Sequence, residues 1–507
     1  MKKTALLIMI LTVLAKILGF LRDVTLSYFY GASNISDAYL ISNTIPIVIF
    51  SFIGTGILTG FIPIYTNVES KYGDIEGNRF TNNLINIIVL LCTLIYGLTF
   101  IFAEEIVKIF ASGFFGDTLR IATEFTRISL LSIYFTGLVY IFNGFLQVKN
   151  NYIIPALVSL PMNLIMMLSL YISSETNIIF IAIGNVLAIG SQLILLLPFA
   201  YRKGYKYSPV LNFNDDNIKQ MGNNALPIIL GASAVQINTL IDRTIASRII
   251  SGGISALNYA NRLNLFIQGI FVLSIVTVIF PRITKLMIEN KDKEFKNTIS
   301  GGVTSINLFV TPVMVGAIVF SSQIISMLFG RGAFDENAVS LTSNALLYYS
   351  VGMLGFGHRE LVSRVFYSMQ NTKTPMINAA IGMILNIILN LILSRYLGIG
   401  GLALATSIAA IFTTVLLFIS LRKKIGPFGM KQISISFLKI LFASLVMGGL
   451  AKLSFNYLTA SLSQNISLLV AIGVGAVSYF VIIYFMKIED VDVIVGAIKK
   501  KLGRGAA

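Results

Sequence analysis

"KILGFLRDVTLSYFYGASNISDAYL", residues 16–40, sets Lys16, Arg22, Asp23 and Asp37 inside an otherwise apolar stretch. If that stretch lies in lipid, the charges are costly, and each must either be paired internally or serve a function.

The rest of the chain settles that it does. Of 507 residues 56% are hydrophobic and 12% charged, and the mean hydropathy is +0.83. Soluble domains carry roughly a quarter charged residues. Continuous apolar runs of about 20 residues recur throughout, the length that spans a bilayer. Only helices or closed barrels can satisfy their backbone groups in lipid, and continuous rather than alternating runs select helices. The fold class is therefore an all-α polytopic membrane protein. A net charge of +16 would suggest nucleic acid in a soluble protein. Here the basic residues sit in short loops, which topology explains, so no nucleic-acid partner is expected. Cys92 is the single cysteine and excludes an intrachain disulfide. The first apolar run lacks a small-residue cleavage site and reads as the first span.

Fourteen spans are expected, near 4–30, 37–66, 82–104, 122–147, 153–173, 178–201, 222–249, 254–288, 298–321, 339–368, 374–396, 401–421, 432–457 and 465–487. Pro46 and Pro63 are candidate kink sites in the second. Basic residues then set the orientation. Lys2 and Lys3, the group Arg202, Lys203, Lys206 and Lys219, those around 282–296, those at 422–431, and Lys499 to Arg504 all fall on one side. The opposite loops, "YGASNIS" and "TASLSQN", carry none. Both termini are expected in the cytoplasm. Val491, Ile494, Val495, Ile498 and Leu502 recur at helical spacing beside Lys499–Lys501, which predicts an amphipathic helix over 488–503 on the inner surface, against membrane lipid.

The chain repeats itself. "NGFLQVKNNYIIP" (143–155) resembles "RVFYSMQNTKTP" (364–375), with Gln147 set against Gln370, and "ISDAYLISN" (35–43) resembles "ISALNYANR" (254–262). The offset of about 220 residues covers six spans, so two parallel six-helix bundles follow, as in one class of transporters. The expected divisions are 1–210, 211–425, helices thirteen and fourteen at 426–487, and the tail at 488–507.

No enzyme signature is present: His358 is the only histidine, and no P-loop, zinc spacing or nucleophile motif occurs. Two similar bundles with internal charges read as a transporter whose site lies between them. Arg22 precedes the outer end of span one by about eight residues, and Arg262 follows the outer start of span eight by about as many. Both are then roughly 12 Å deep at about 1.5 Å per residue. Arginine donates a planar, permanently charged fork suited to phosphate, so the substrate is expected to be an anion, a phosphate or diphosphate. Asp23 would hold or release the Arg22 guanidinium; structural ion pairs are the alternative. Lys16 either lines the same cavity or snorkels. Asp37 either serves the site or favours the positive end of its own helix. Arg359 and Arg364 form a second group, with Glu360 and Arg364 spaced as an i, i+4 pair. Asp242, Asn386, Asn390 and Thr406 supply hard oxygen atoms suited to a small cation; the alternatives are an Asp242–Arg243 pair and amides that join helices.

"LGFLRDVTLSYFYGASNISDAYLISNTIP", "YANRL" and "RVFYSMQNTKTP" together resemble segments of the MurJ (MviN) lipid II flippases, of the multidrug/oligosaccharidyl-lipid/polysaccharide exporter superfamily. The resemblance covers essentially the whole chain. It implies fourteen helices in a 6+6+2 layout, in a bacterial inner membrane. The activity implied is not enzymatic: an undecaprenyl-diphosphate-linked glycopeptide moves from the inner to the outer leaflet by alternating access. It implies substrate binding by Arg22, Asp23 and Arg262, no cofactor, and in some members a sodium site, whose positions fall on Asp242, Asn386, Asn390, Leu402 (through its carbonyl) and Thr406. It also implies a monomer, associated at most with cell-wall synthesis enzymes. The chain departs from relatives at Lys16, Phe50 and Asn261, which thins the cavity's charge, and at Asn390, which weakens the cation site. Those departures leave open a flippase for another undecaprenyl-linked glycan. A cation-coupled multidrug exporter is the further alternative, which the arginines disfavour.

On a Cys92→Ser background, single cysteines at Ser33 and Ala460 should react with an impermeant thiol reagent from outside, and one at Val210 should not. Protection at the first two with labelling at 210 would reverse the topology.

Overall fold

In the computed structural model residues 2–486 are described; they are helical, with no strand among them. The expected amphipathic tail lies outside the described residues.

The chain packs as two compact units. The first runs to Ser255 and includes Arg331–Ala338; the second comprises Ala256–Gly330 and Val339 onward. In chain order the first holds α1 (Lys2–Tyr30), α2 (Asn34–Ile101), α3 (Ala103–Phe110), α4 (Gly116–Ser129), α5 (Ser132–Val148), α6 (Ile153–Leu157), α7 (Ser159–Glu175), α8 (Ile179–Arg202) and α9 (Asp216–Ile249). Then come α10 (Gly253–Ile267), a π-helical turn (Gln268–Val272), α11 (Leu273–Ile288), α12 (Asp292–Val319), α13 (Ser321–Phe329), α14 (Glu336–Val351), α15 (Met353–Ser368), α16 (Lys373–Leu397), α17 (Ile399–Ile425), α18 (Met430–Leu458) and α19 (Gln464–Phe485). This packing division falls later than the repeat boundary expected at 210/211, because α9 lies along α2 and α3.

Over the described residues each expected span falls on helix, though several are divided. Spans two and three are the two arms of α2. Its backbone leaves the helical region at Gly73 (φ 82, ψ 178), while Pro46 and Pro63 are carried inside the helix. A left-handed φ of that size suits glycine, which has no Cβ to clash. Among the described residues, nine helices are long and apolar enough to cross a membrane, or ten if α4 and α5, bent by 40°, count as one span. The tenth expected span is likewise divided, between α14 and α15 at Gly352.

The repeat shows in the elements. α14 starts 220 residues after α4, α16 starts 220 after α6, and α17 starts 220 after α8. The helix ends match in detail. Asn150 (φ 58) and Gln370 (φ 54) are both left-handed. The amides that follow close back on the helix, Asn151 N to Leu146 O at 2.8 Å and Asn371 N to Phe366 O at 3.0 Å, the Schellman arrangement that satisfies end carbonyls. Asn151 and Asn371 then each accept from an amide three residues on, Ile154 N and Thr374 N. In this register Asn150, not Gln147, is the counterpart of Gln370.

The polar link after α8 is laced down. On the second arm of α2, Asn78, Asn82, Asn83 and Asn86 face it. Their amides donate to Gly204 O at 2.9 Å, Lys206 O at 2.8 Å, Asn212 O at 2.9 Å and Val210 O at 2.8 Å. Asn212 N returns a bond to Asn83 at 2.7 Å, and Tyr205 OH donates to Asn82 Oδ1 at 2.7 Å. Tyr205 is buried against the Phe142 and Phe145 rings. A link that pairs its backbone with side chains needs no sheet or helix of its own.

Replacing buried Asn82 with alanine strands the Lys206 carbonyl and the Tyr205 hydroxyl, a loss of about 1–3 kcal/mol. Asn82→Ala should lower the melting temperature in detergent and speed amide exchange across 204–212. Parental protection over that segment would mean that the asparagines do not hold it.

Candidate functional site

In the first unit, α1 carries Arg22 and Asp23. Arg22 Nη2 and Nε both donate to Asp23 Oδ1, at 2.9 and 3.2 Å. The side chains are 17% and 6% exposed. Two donors of the fork are thus committed to one carboxylate oxygen, which leaves Nη1 to donate elsewhere. Removing Asp23 would leave an uncompensated, mostly buried cation, the expensive way to break such a pair. Lys16 is exposed on α1.

Asp37 stands in the first turn of α2, as its sequence position implies, and also binds a second helix end. It is fully buried and caps the start of another helix. Its oxygens accept from Gly252 N at 2.9 Å, from Ser255 N at 2.7 Å and from the Ser255 hydroxyl. These groups stand at the start of α10, where free amides and the helix dipole favour an anion. The one available signal was "SGGIS" at 251–255: glycines stand where α10 would otherwise supply its own cap.

Also in the first unit, Asp242 accepts from Asn238 Nδ2 at 3.4 Å, one turn earlier on α9. Arg243 Nη1 donates to Leu40 O at 3.1 Å. Phe50 is buried in the core against the Tyr140 ring.

The second unit holds the remaining candidates. Arg262 is exposed on α10, just before the π-helical turn. Such turns interrupt the regular ladder and often mark functional sites. Arg364 Nε pairs with Glu360 Oε1 at 3.0 Å, as their spacing predicts. Arg359 lies over the Phe356 ring at 5.3 Å, and His358 packs edge-on to Phe418.

Four of the five expected cation ligands come together between α16 and α17. Asn390 Nδ2 donates to Asn386 Oδ1 at 3.1 Å, Asn386 Nδ2 to Thr406 Oγ1 at 3.3 Å, and Thr406 to Leu402 O at 2.9 Å. Asn386, Asn390 and Leu402 are buried. The fifth, Asp242, belongs to the first unit. A chain of neutral oxygen donors of this kind suits a hard, weakly held cation. Among the described residues no group of three His, Cys, Asp or Glu side chains could hold a metal.

Sequence reasoning passed over two features. One is the asparagine ladder of α2, whose spacing in "NRFTNNLIN" places amides on one face. The other is an apolar cavity of about 390 Å³ among α12, α18 and α19, lined by Phe271, Phe309, Phe320, Met447 and Phe480. Nothing but apolar composition announces the second.

The comparisons agree with one another. Residues 26–473 match the family model described as lipid II flippase MurJ. A Thermosipho africanus protein named lipid II flippase MurJ is 31% identical over 94% of this chain and 95% of its own length. A Vibrio cholerae protein named probable lipid II flippase MurJ is 28% identical over 97% of each. The solved structure of a lipid II flippase MurJ in an inward closed conformation superposes with a TM-score of 0.81 at 29% identity, over 94% of this chain and 98% of that one. A multidrug MATE transporter of the MOP superfamily shares the fold alone, at TM-score 0.70 and 13% identity. With a match across most of its length and relatives that cover nearly all of it, the chain belongs to the lipid II flippase MurJ family.

Proposed function

We infer that this protein is a lipid II flippase, which carries a lipid-linked peptidoglycan precursor from the inner to the outer leaflet of a bacterial cytoplasmic membrane by alternating access. The observation that carries the reading is the match to the flippase family over residues 26–473. In this reading both termini and the laced link lie in the cytoplasm, and the protein works as a monomer. Arg22 and Arg262 bind the diphosphate, and Asp23 holds the Arg22 fork until the phosphate competes for it. The apolar cavity of the second unit accepts hydrocarbon, which a lipid-linked substrate brings with it. Supplying this gene to cells depleted of their own peptidoglycan flippase should restore growth. Failure there, with rescue of a different undecaprenyl-linked glycan pathway, would assign the other substrate.

Arg22→Ala and Arg262→Ala should each lower flipping at least about 100-fold at normal expression, as expected for a desolvated charged contact worth about 3 kcal/mol. Lysine should restore only part, because it lacks the bidentate fork. Full flipping by the double alanine variant would remove the arginines from the site.

Asp242, Asn386, Asn390, the Leu402 carbonyl and Thr406 are assigned to a sodium site that biases the cycle. A ligand shifts a conformational equilibrium only by its differential affinity for the two states. Replacing sodium by a large organic cation should therefore slow wild type and leave Asp242→Asn unchanged. Identical responses would return Asp242 to a structural role.

A further inference from the structure

At the end of the first unit where α1 finishes, two short loops grip two helix ends. The loop after α3 grips α9. Thr244 Oγ1 donates to Ile109 O at 3.0 Å and to Phe110 O at 3.1 Å. Gly113 N donates to Ser247 Oγ at 3.0 Å, and Arg248 Nε to Ser112 Oγ at 2.6 Å. The loop over 331–334, which precedes α14, grips α1, where Ala333 N donates to Tyr28 O at 2.8 Å. Both grips close on a glycine. A Cβ on Gly113 would stand 2.1 Å from Ser247 O, and one on Gly332 2.3 Å from Tyr28 O. Neither backbone oxygen can move aside as a flexible side chain could.

The two contacts are copies of one another under the repeat. Ser247 follows Tyr28 by 219 residues, and Gly332 follows Gly113 by 219. In each, the loop belongs to one half of the sequence and the helix end to the other. A pair of self-complementary contacts, in which each half gives what it takes, is the signature of a two-fold relation. The contacts also satisfy part of the free carbonyl set that every helix end leaves over.

We propose that these repeat-equivalent grips form a reciprocal clasp, keyed by Gly113 and Gly332, that holds the outer side shut and must release at both places for the protein to open outward. The proposal rests on the alternating-access reading above. Because the two grips are equivalent, extra bulk in either one weakens the closed state without touching Arg22 or Arg262. The clasp is a two-state element, and a methyl group that only the closed state excludes shifts the population away from it.

Ser251 Oγ donates to Asn34 Oδ1 at the same end, so the cysteine pair Asn34→Cys/Ser251→Cys, on Cys92→Ser, reports closure by disulfide formation. With Gly113 and Gly332 intact, mild oxidant should crosslink the pair readily, stop flipping, and be reversed by reductant. Gly113→Ala and Gly332→Ala should each slow crosslinking about threefold or more, and Thr244→Ala, which adds no bulk, should slow it in the same direction. Gly97→Ala, with no atom within 4 Å of the added carbon, should leave the rate alone. Equal crosslinking rates in Thr244→Ala and parent, or full flipping by the crosslinked protein, would overturn the clasp. The crosslinking rate needs no substrate, so its failure is distinguishable from a wrong substrate, which would show as intact crosslinking in a protein that rescues no flippase depletion.

Discussion

Hydrocarbon offers no hydrogen bond, so every polar group in the spans must be answered from within the chain. Hydroxyls meet this locally: Thr25 bonds back to Leu21 O at 2.9 Å and Thr277 to Leu273 O at 2.7 Å. Charges cannot. A carboxylate needs several donors, and the place where donors gather is the start of a helix. Asp37 therefore reaches across to α10 and takes two amides and a hydroxyl there. Arg22 has no free carbonyl ladder to use and turns to the neighbouring Asp23. Where the chain leaves the helices at the link, side-chain amides from α2 bind its bare backbone.

This constraint explains what could be read from sequence and what could not. Apolar length placed the helices, because it is a property of each segment alone. The Glu360–Arg364 pair was legible for the same reason, since helical spacing fixes it. The partners of Asp37 were not legible because they lie at least 215 residues away, beyond any local pattern. The break at Gly73 falls in the gap expected between spans two and three, at a positive φ that a residue without Cβ adopts most readily. The repeat was seen from Gln147 and Gln370, yet the matching left-handed positions are Asn150 and Gln370. Backbone conformation carried the register, and side-chain identity misled. The four asparagines of α2 look like ordinary polar residues until their partners are known, and those partners are backbone atoms that no side-chain pattern reveals.

The repeat also separates what the fold requires from what it does not. At an offset of 219, Asp23 and Asp242 are counterparts on α1 and α9, but the arginine stands before one and after the other. Arg22 turns to Asp23, while Arg243 reaches Leu40 O. The counterpart of Arg262 is Asn43, which takes a neutral bond from Asn185 at 3.4 Å. On α16, Asn386 and Asn390 correspond at an offset of 220 to Met166 and Leu170 of α7, both buried. The pair α7–α8 is in extensive contact, as α16–α17 is, with apolar side chains at those places. At these two places, then, apolar side chains serve the first unit where amides serve the second. Buried amides at helix–helix contacts in membranes contribute only about 0.6 kcal/mol on average, too little to account for replacing good apolar packing. The chain Asn390–Asn386–Thr406–Leu402 is thus a feature of α16 and α17 that the equivalent positions of α7 and α8 do without. The same comparison exempts the clasp glycines, which both halves keep, from any such one-sided role.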